Sequence, residues 1–183
     1  MLYDEVNISA ETGVYEPRED SKLLAEAVEK YAFGKVLDLG TGTGIQGIIA
    51  ALRGCTVTFS DVDASAVANA RRNAEQNNVK GEFVISDMFD SIKGKFNTII
   101  FNPPYLESKK AGSGEISTGG GLGGREFIER FIKEYPRHVL EDHVILLLES
   151  SVNKYEQDAE RLHAEVVAKS HYFFEDIAVL KFE

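Results

Sequence analysis

The chain has 183 residues, 20 basic against 30 acidic, for a net charge of −10, with 43% hydrophobic residues. That length suits one domain with a sizeable core, and the acidic balance argues against a nucleic-acid backbone as partner, because no basic patch offsets it. Cys55 is the only cysteine, so neither an internal disulfide nor a cysteine zinc site is possible.

The elements follow in chain order. Residues 1–19 look irregular, with Gly13 and Pro17 breaking any period, and the absence of basic and apolar regions near Asp4 and Glu5 speaks against a signal peptide. No apolar stretch is long enough to span a bilayer, and the default location is the cytoplasm. Asp20 is expected to cap a helix over 21–32, where Leu23, Leu24, Ala27, Val28 and Tyr31 form an apolar stripe. Lys35–Leu39 is a short apolar run between glycines, hence a buried strand. It leads through the turn Gly40-Thr41-Gly42-Thr43-Gly44 into a helix with Ile45, Ile48, Ile49 and Leu52 on one side.

A second strand over 56–59 ends at Ser60-Asp61, and an alanine-rich helix occupies 64–78. A third strand over 82–85 ends at Ser86-Asp87, and a fourth spans 97–101. A helix over 124–139, a fifth strand over 144–148 and a helix over 152–163 follow. The segments 164–170 and 176–182 leave no room for a helix between them and should pair as an antiparallel hairpin. Strands alternating with helices predict one domain over 1–183: a mostly parallel seven-stranded sheet with helices on both faces and one antiparallel strand from the C-terminal hairpin.

Asn102-Pro103-Pro104-Tyr105 stands directly after the fourth strand. The prolines fix φ and remove two N–H donors, which leaves the Asn102 carbonyl oxygen, the Pro103 carbonyl and the Tyr105 ring to grip a planar amide or amine. In open α/β sheets ligands sit beyond the carboxyl ends of the strands. Asp38, Asp61, Asp87 and Asn102 all fall there. Singly, each also fits a turn-starting or helix-capping role.

Gly42-Thr43-Gly44-Ile45-Gln46-Gly47 fits a dinucleotide fingerprint only formally. Asp38, just before the turn, would repel a pyrophosphate and attract an ammonium or sulfonium, as S-adenosylmethionine carries. Gly40 and Gly42 let the backbone approach it, Asp61 can accept ribose hydroxyls, and Asp87 can accept an adenine amino group with Met88 or Phe89 against the ring.

Asp38-Leu39-Gly40-Thr41-Gly42 together with Asn102-Pro103-Pro104-Tyr105 resembles the class I S-adenosylmethionine-dependent methyltransferases acting on amino and amide groups, a Rossmann-like fold. Val14-Tyr15-Glu16-Pro17-Arg18-Glu19-Asp20-Ser21, Gly123-Gly124-Arg125-Glu126-Phe127 and Ala178-Val179-Leu180-Lys181-Phe182 are similar to the short HemK-like branch, the glutamine N5-methyltransferases of class I translation release factors. The resemblance implies cofactor contacts at Ser21, where the family usually has Thr, and at Asp38, Gly40, Asp61, Asp87, Met88 and Asn102. It implies a substrate contact at Asn102 as well; from their chemistry, Asn102, Pro103, Pro104 and Tyr105 are expected to bind substrate, with Asn102, Pro103 and Tyr105 catalytic and no metal needed. It also implies a small zinc-binding activator subunit, for which the third strand, as the sheet edge, is the natural docking place.

Other assignments stay open. The same grip suits an exocyclic amine of DNA or RNA adenine or guanine, and protein lysine is a third acceptor. A non-catalytic binding subunit has no use for the intact Asn-Pro-Pro-Tyr set, and Asp38 disfavours a NAD-dependent oxidoreductase. Arg71-Arg72 reads as a solvated helix face. Lys109-Lys110 is either a substrate contact or a solubilising loop, and Gly112–Gly124 is either a surface loop or a lid over the substrate. Arg125 is expected to pair with Glu129 four residues on rather than with substrate. His138, His143, His163 and His171 show no metal spacing.

Overall fold

The computed structural model describes residues 1–104, 124–172 and 175–183. Seven strands form one sheet in the order β3-β2-β1-β4-β5-β7-β6. They are β1 (Lys35–Leu39), β2 (Thr56–Asp61), β3 (Gly81–Ile85), β4 (Phe96–Phe101), β5 (Val139–Ser150), β6 (Glu165–Tyr172) and β7 (Glu175–Phe182). The first five run parallel, and β7 lies antiparallel between β5 and β6. The α-helices among the described residues are α1 (Glu19–Tyr31), α2 (Ile45–Leu52), α3 (Ala64–Gln76), α4 (Arg125–Glu134) and α5 (Tyr155–Arg161).

Because the strands are covered on both faces, their apolar runs are continuous rather than alternating. Neighbouring residues then serve opposite cores. Val36, Ile100 and Leu146 join Leu24, Val28, Ile48 and Phe59 on one face. Leu37, Ile99, Ile145 and Leu147 join Phe131 and Leu180 on the other. Strand order reverses between β1 and β4, where Leu39 pairs with Phe101. The Gly40 turn and Asn102 therefore leave the sheet side by side, at the point where such sheets bind ligands. The third strand is the sheet edge, as expected.

Among the expected boundaries that move, four have a clear local reason. The N-cap of α1 is Arg18, and Asp20 lies inside the first turn, buried rather than capping. Helix α4 stops at Glu134, and Pro136 follows in a 3-10 turn over Tyr135–Arg137. Strand β5 begins at Val139 rather than 144. The polar stretch Glu141-Asp142-His143 hides its first half, and its pairing with β4 is irregular between Phe96 and Thr98. The helix expected over 152–163 is a 3-10 turn, Ser151–Asn153, and then α5, parted by Lys154 at φ +64°. That left-handed backbone suits few residues other than glycine.

Candidate active site

Beyond β1, β2, β3 and β4 lies a cavity of about 250 Å3. Among the residues lining it are Ser21, Asp38, Gly40, Gly42, Asp61 and Asp87 from the expected cofactor set, together with Met88, Asn102, Pro103 and Pro104. Tyr105, Lys109-Lys110 and most of the Gly112–Gly124 stretch lie outside the described residues.

The glycine turn is built around one carboxyl group. Asp38 Oδ2 accepts the Thr41 hydroxyl at 2.6 Å and the Gly47 amide at 3.0 Å, tying β1 to the start of α2. Burial pushes the Asp38 carboxyl up to about 7, and nearby Asp61 adds to the rise, while the bonds from Thr41 and Gly47 oppose it. Gly40 and Gly42 take positive φ, +66° and +53°. A Cβ on Gly42 would meet nothing within 4 Å, so the turn offers bare backbone to the cavity.

Gly47 has a different task. A Cβ there would lie 2.3 Å from Phe59, a fully buried ring stacked on Phe83. Gly47→Ala is expected to lose about 1–3 kcal/mol to overpacking, which exceeds the gain of about 1 kcal/mol in helix propensity. Denaturant titration of the variant checks this, and a stabilised variant would contradict it.

Asp61 is partly engaged already. Its Oδ2 accepts the Gly42 amide at 3.0 Å and its Oδ1 accepts that of Asp63 at 3.0 Å. Burial raises its pKa. Asp87 is held by Arg130, whose Nη1 donates to Oδ1 at 2.6 Å, so one of its oxygens is not free for a ligand. Of the two candidates for an aromatic base, Met88 lines the cavity at φ +47°. Phe89 instead lies in the core against Phe131 and His138. Ser21 is buried at the cavity wall, and its carbonyl accepts from Gln46 Nε2 at 2.8 Å. Gln46 was not anticipated. The residue is among those lining the cavity, and its Oε1 is buried with no hydrogen-bond partner among the described residues. Its glutamine side chain at helix position two carries no signal that separates it from a solvated residue.

Asn102 shows the sharpest geometry. Its Nδ2 donates to Asp20 Oδ2 at 3.3 Å, while its Oδ1 is buried without a hydrogen-bond partner. A buried acceptor left unsatisfied costs free energy. In a cavity wall it marks a place where a ligand donor belongs.

The roof of the cavity comes from the segment that looked irregular. Gly13, Val14, Tyr15 and Pro17 all line the cavity. Residues 7–11 run along α3, where Asn69 and Asn73 stand at successive turns and Asn77 is the C-cap. Asn77 accepts from the amide of Asn7 and donates to its carbonyl, at 2.9 and 2.8 Å. Asn73 does the same with Ser9, at 3.1 and 2.9 Å, and Asn69 accepts from Glu11 at 2.9 Å. Asn73 also donates to the carbonyl of Thr43 in the glycine turn at 2.8 Å, joining roof and floor. Asn73→Ala strands several of these groups and is expected to weaken S-adenosylhomocysteine binding by about tenfold. Calorimetric titration of that compound checks it, an unchanged affinity being the contrary result.

The sequence matches the family described as Methyltransferase small domain over residues 5–117. The chain belongs to that family. A protein of Methanocaldococcus jannaschii named "Putative protein N5-glutamine methyltransferase" is 36% identical over 177 residues, covering 91% of this chain and 90% of the relative. The Haemophilus influenzae "Ribosomal RNA small subunit methyltransferase C" is 39% identical over 87 residues, which are 46% of this chain and 26% of that protein. This chain thus matches nearly the whole length of the first relative but about a quarter of the second. Among solved structures, the Thermus thermophilus 16S rRNA N2 G1207 methyltransferase in complex with S-adenosylmethionine and guanosine superposes with a TM-score of 0.63 at 20% identity. It covers 92% of this chain and 47% of that one.

As a methyltransferase of this class, the protein uses S-adenosylmethionine as cofactor. The cavity fits that molecule. The buried Asp38 carboxyl and the half-buried Asp61 carboxyl, both in the cavity wall, offer acceptors to a ligand with cationic and hydroxyl groups. A cavity rich in carboxylates suits a ligand without phosphate.

Arg125 is committed to structure. Its guanidinium binds both oxygens of Asp158, Glu129 and the carbonyl of Asn153. The expected Glu129 pair is present, and the buried Asp158 is the stronger tie because the two form a fork. Burial and the facing Asp158 push the neighbouring Glu149 carboxyl up. Of the arginine pair, Arg72 binds Glu11 and Arg71 lies 4.5 Å over the Phe83 ring, so both are used at the surface. No helix among the described residues is long and apolar enough to cross a membrane.

Proposed function

We propose that this methyltransferase transfers a methyl group to the N5 amide nitrogen of glutamine in a protein, with the Gly-Gly-Gln loop of a class I release factor as its substrate. The observation that carries this is the buried, unpartnered Asn102 Oδ1 beside Pro103 at the end of β4. The full-length likeness to the M. jannaschii protein supports it.

An amide nitrogen is a weak nucleophile because its lone pair is shared with the carbonyl. The bound cofactor supplies an electrophilic methyl group. The chain's task is to hold the NH2 group in line and to favour positive charge as it develops there. Asn102 Oδ1 and the Pro103 carbonyl each accept one N–H, and both bonds strengthen as charge grows. Tyr105 is assigned to pack on the amide plane. Ser21, Asp38, Gly40, Gly42, Asp61, Asp87 and Met88 are assigned to hold the cofactor.

A small zinc-binding activator subunit is proposed to pair with β3. Among the described residues strand β3 pairs only with β2, and it exposes Ile85 at 56% beside Val62 at 58%. Such an edge offers unpaired backbone groups to a partner strand.

A second acceptor class has an observation in its favour: the local likeness to ribosomal RNA methyltransferases. The same two oxygens could grip a guanine amine. Labelled methyl transfer from S-adenosylmethionine decides between them. Release factor, its Gly-Gly-Ala variant and ribosomal RNA are assayed in parallel, with and without the zinc subunit. Label on the unmodified factor alone supports the proposal, and label on RNA alone overturns it.

A further inference from the structure

Asn102 presents an amide whose two ends are nearly the same shape. Only one orientation serves an incoming NH2 group: with Nδ2 toward the cavity, donor would face donor. Strand β4 and Pro103 place the Asn102 backbone, and the proline holds it in extended space. Neither decides which end of the side chain points out. A rotation about the last side-chain bond exchanges them.

The neighbour that decides is Asp20. The residue is 3% exposed, and its carboxylate offers only acceptors. Its Oδ2 takes the Asn102 Nδ2 donor at 3.3 Å, across a sequence separation of 82 residues. Its Oδ1 accepts the Tyr15 hydroxyl at 2.9 Å and faces the Ser21 hydroxyl at 3.4 Å, which keeps the carboxylate from turning. An acidic residue in a first helical turn is ordinarily explained by the helix dipole. That explanation requires no burial and no bond to another element, and Asp20 has both.

We infer that Asp20 is a positioning residue for methyl transfer: its buried carboxylate holds the Asn102 amide with Oδ1 toward the substrate. The chain Tyr15–Asp20–Asn102 thereby links the roof of the cavity to the acceptor that meets the substrate nitrogen. The inference rests on Asn102 being that acceptor.

The test exchanges the two groups. Asp20→Asn keeps the size of the side chain but lets its own NH2 face Asn102, so the Asn102 amide can turn. Adding Asn102→Asp restores a donor–acceptor pair with the roles reversed and leaves a carboxylate oxygen facing the cavity. With the acceptor that the unmodified protein methylates, Asp20→Asn is expected to lower kcat by about tenfold or more. S-adenosylhomocysteine affinity is expected to stay within about twofold. The double variant is expected to recover at least about fivefold over Asp20→Asn. A residue that only stabilised the fold would give additive losses instead.

A second measurement needs no substrate. In nuclear magnetic resonance spectra of the cofactor-bound protein, the Asn102 side-chain NH2 protons should show one slowly exchanging member, lost in Asp20→Asn. Unchanged exchange in that variant, a kcat within about twofold of the original, or a double variant no better than the single one would overturn the inference. If the unmodified protein methylates neither protein nor RNA, the proposed function fails, and the resonance measurement still decides the role of Asp20.

Discussion

Asn102→Ala should reduce methyl transfer by about 10^2- to 10^3-fold while S-adenosylhomocysteine affinity changes only a few-fold. The asymmetry follows from what the side chain does. Its Oδ1 has no partner within the described protein, so removing it strands no donor. Its Nδ2 bond to Asp20 is lost, and Asp20 keeps the Tyr15 hydroxyl. The cofactor cavity loses one wall atom group among many, and its floor, the Gly40 turn held by Asp38, is untouched. An interaction that strengthens as charge develops acts on the rate rather than on ground-state binding. Single-turnover rates with saturating cofactor, next to calorimetric affinities, separate the two. A variant that retained its rate would remove Asn102 from the chemistry.

Asp38→Asn is expected to give opposite effects on folding and binding. The Asp38 carboxyl, raised by burial from 3.8 to about 7, takes up a proton in the folded protein over a range where the unfolded chain has lost it. Stability from this group is complete below the unfolded value and declines as pH rises toward about 7. Above that, holding the charge buried costs about 4 kcal/mol.

The Asn variant keeps an acceptor for Thr41 and Gly47 but carries no charge. At pH 8 the cofactor-free variant should therefore melt no lower, and by this balance several degrees higher, than the parent. Its affinity for S-adenosylmethionine should fall by about tenfold or more, since a neutral amide does not attract a cation. In the parent, binding below pH 7 should release a proton and weaken as pH falls. Calorimetry in buffers of different ionisation enthalpy reads that proton directly. Melting curves at pH 5 and 8 read the rest. A variant that melted far lower at pH 8 but bound normally would refute both halves.

Much of this site was legible in the residues themselves. Parallel strands buried on both faces appear as unbroken apolar runs, so β1 and β4 stood out, and so did the residues that follow them, Gly40 and Asn102. The C-terminal hairpin was legible because the gap between its strands is too short for a helix. Other features were hidden for identifiable reasons. Asp20 carries the acidic type and first-turn position of a helix-starting residue, and only its burial separates it from one. Arg125 had a partner visible at helical spacing, Glu129, but Asp158 arrives from a different helix. Gln46 and the strand residues Glu141-Asp142-His143 are polar and carry no period.

The segment over 7–11 was the hardest, because it is held largely through its backbone, with only Ile8 on the core and Glu11 on Arg72 as side-chain ties. The hydrogen bonds from Asn69, Asn73 and Asn77 leave no apolar pattern in the segment they bind.

That mode of attachment sets rules for how this region can change over evolution. Side chains at positions 7 and 9 are free to drift, since the asparagines recognise only their backbone, and at 11 the exposed Arg72 pair is the one side-chain tie. Proline at any of the three is forbidden, because it lacks the amide hydrogen the asparagine oxygen needs. A one-residue insertion or deletion among them is worse still, since it slips a repeat of two against a repeat of four and unhooks every downstream rung together. The tolerance is to spelling, and the intolerance is to length.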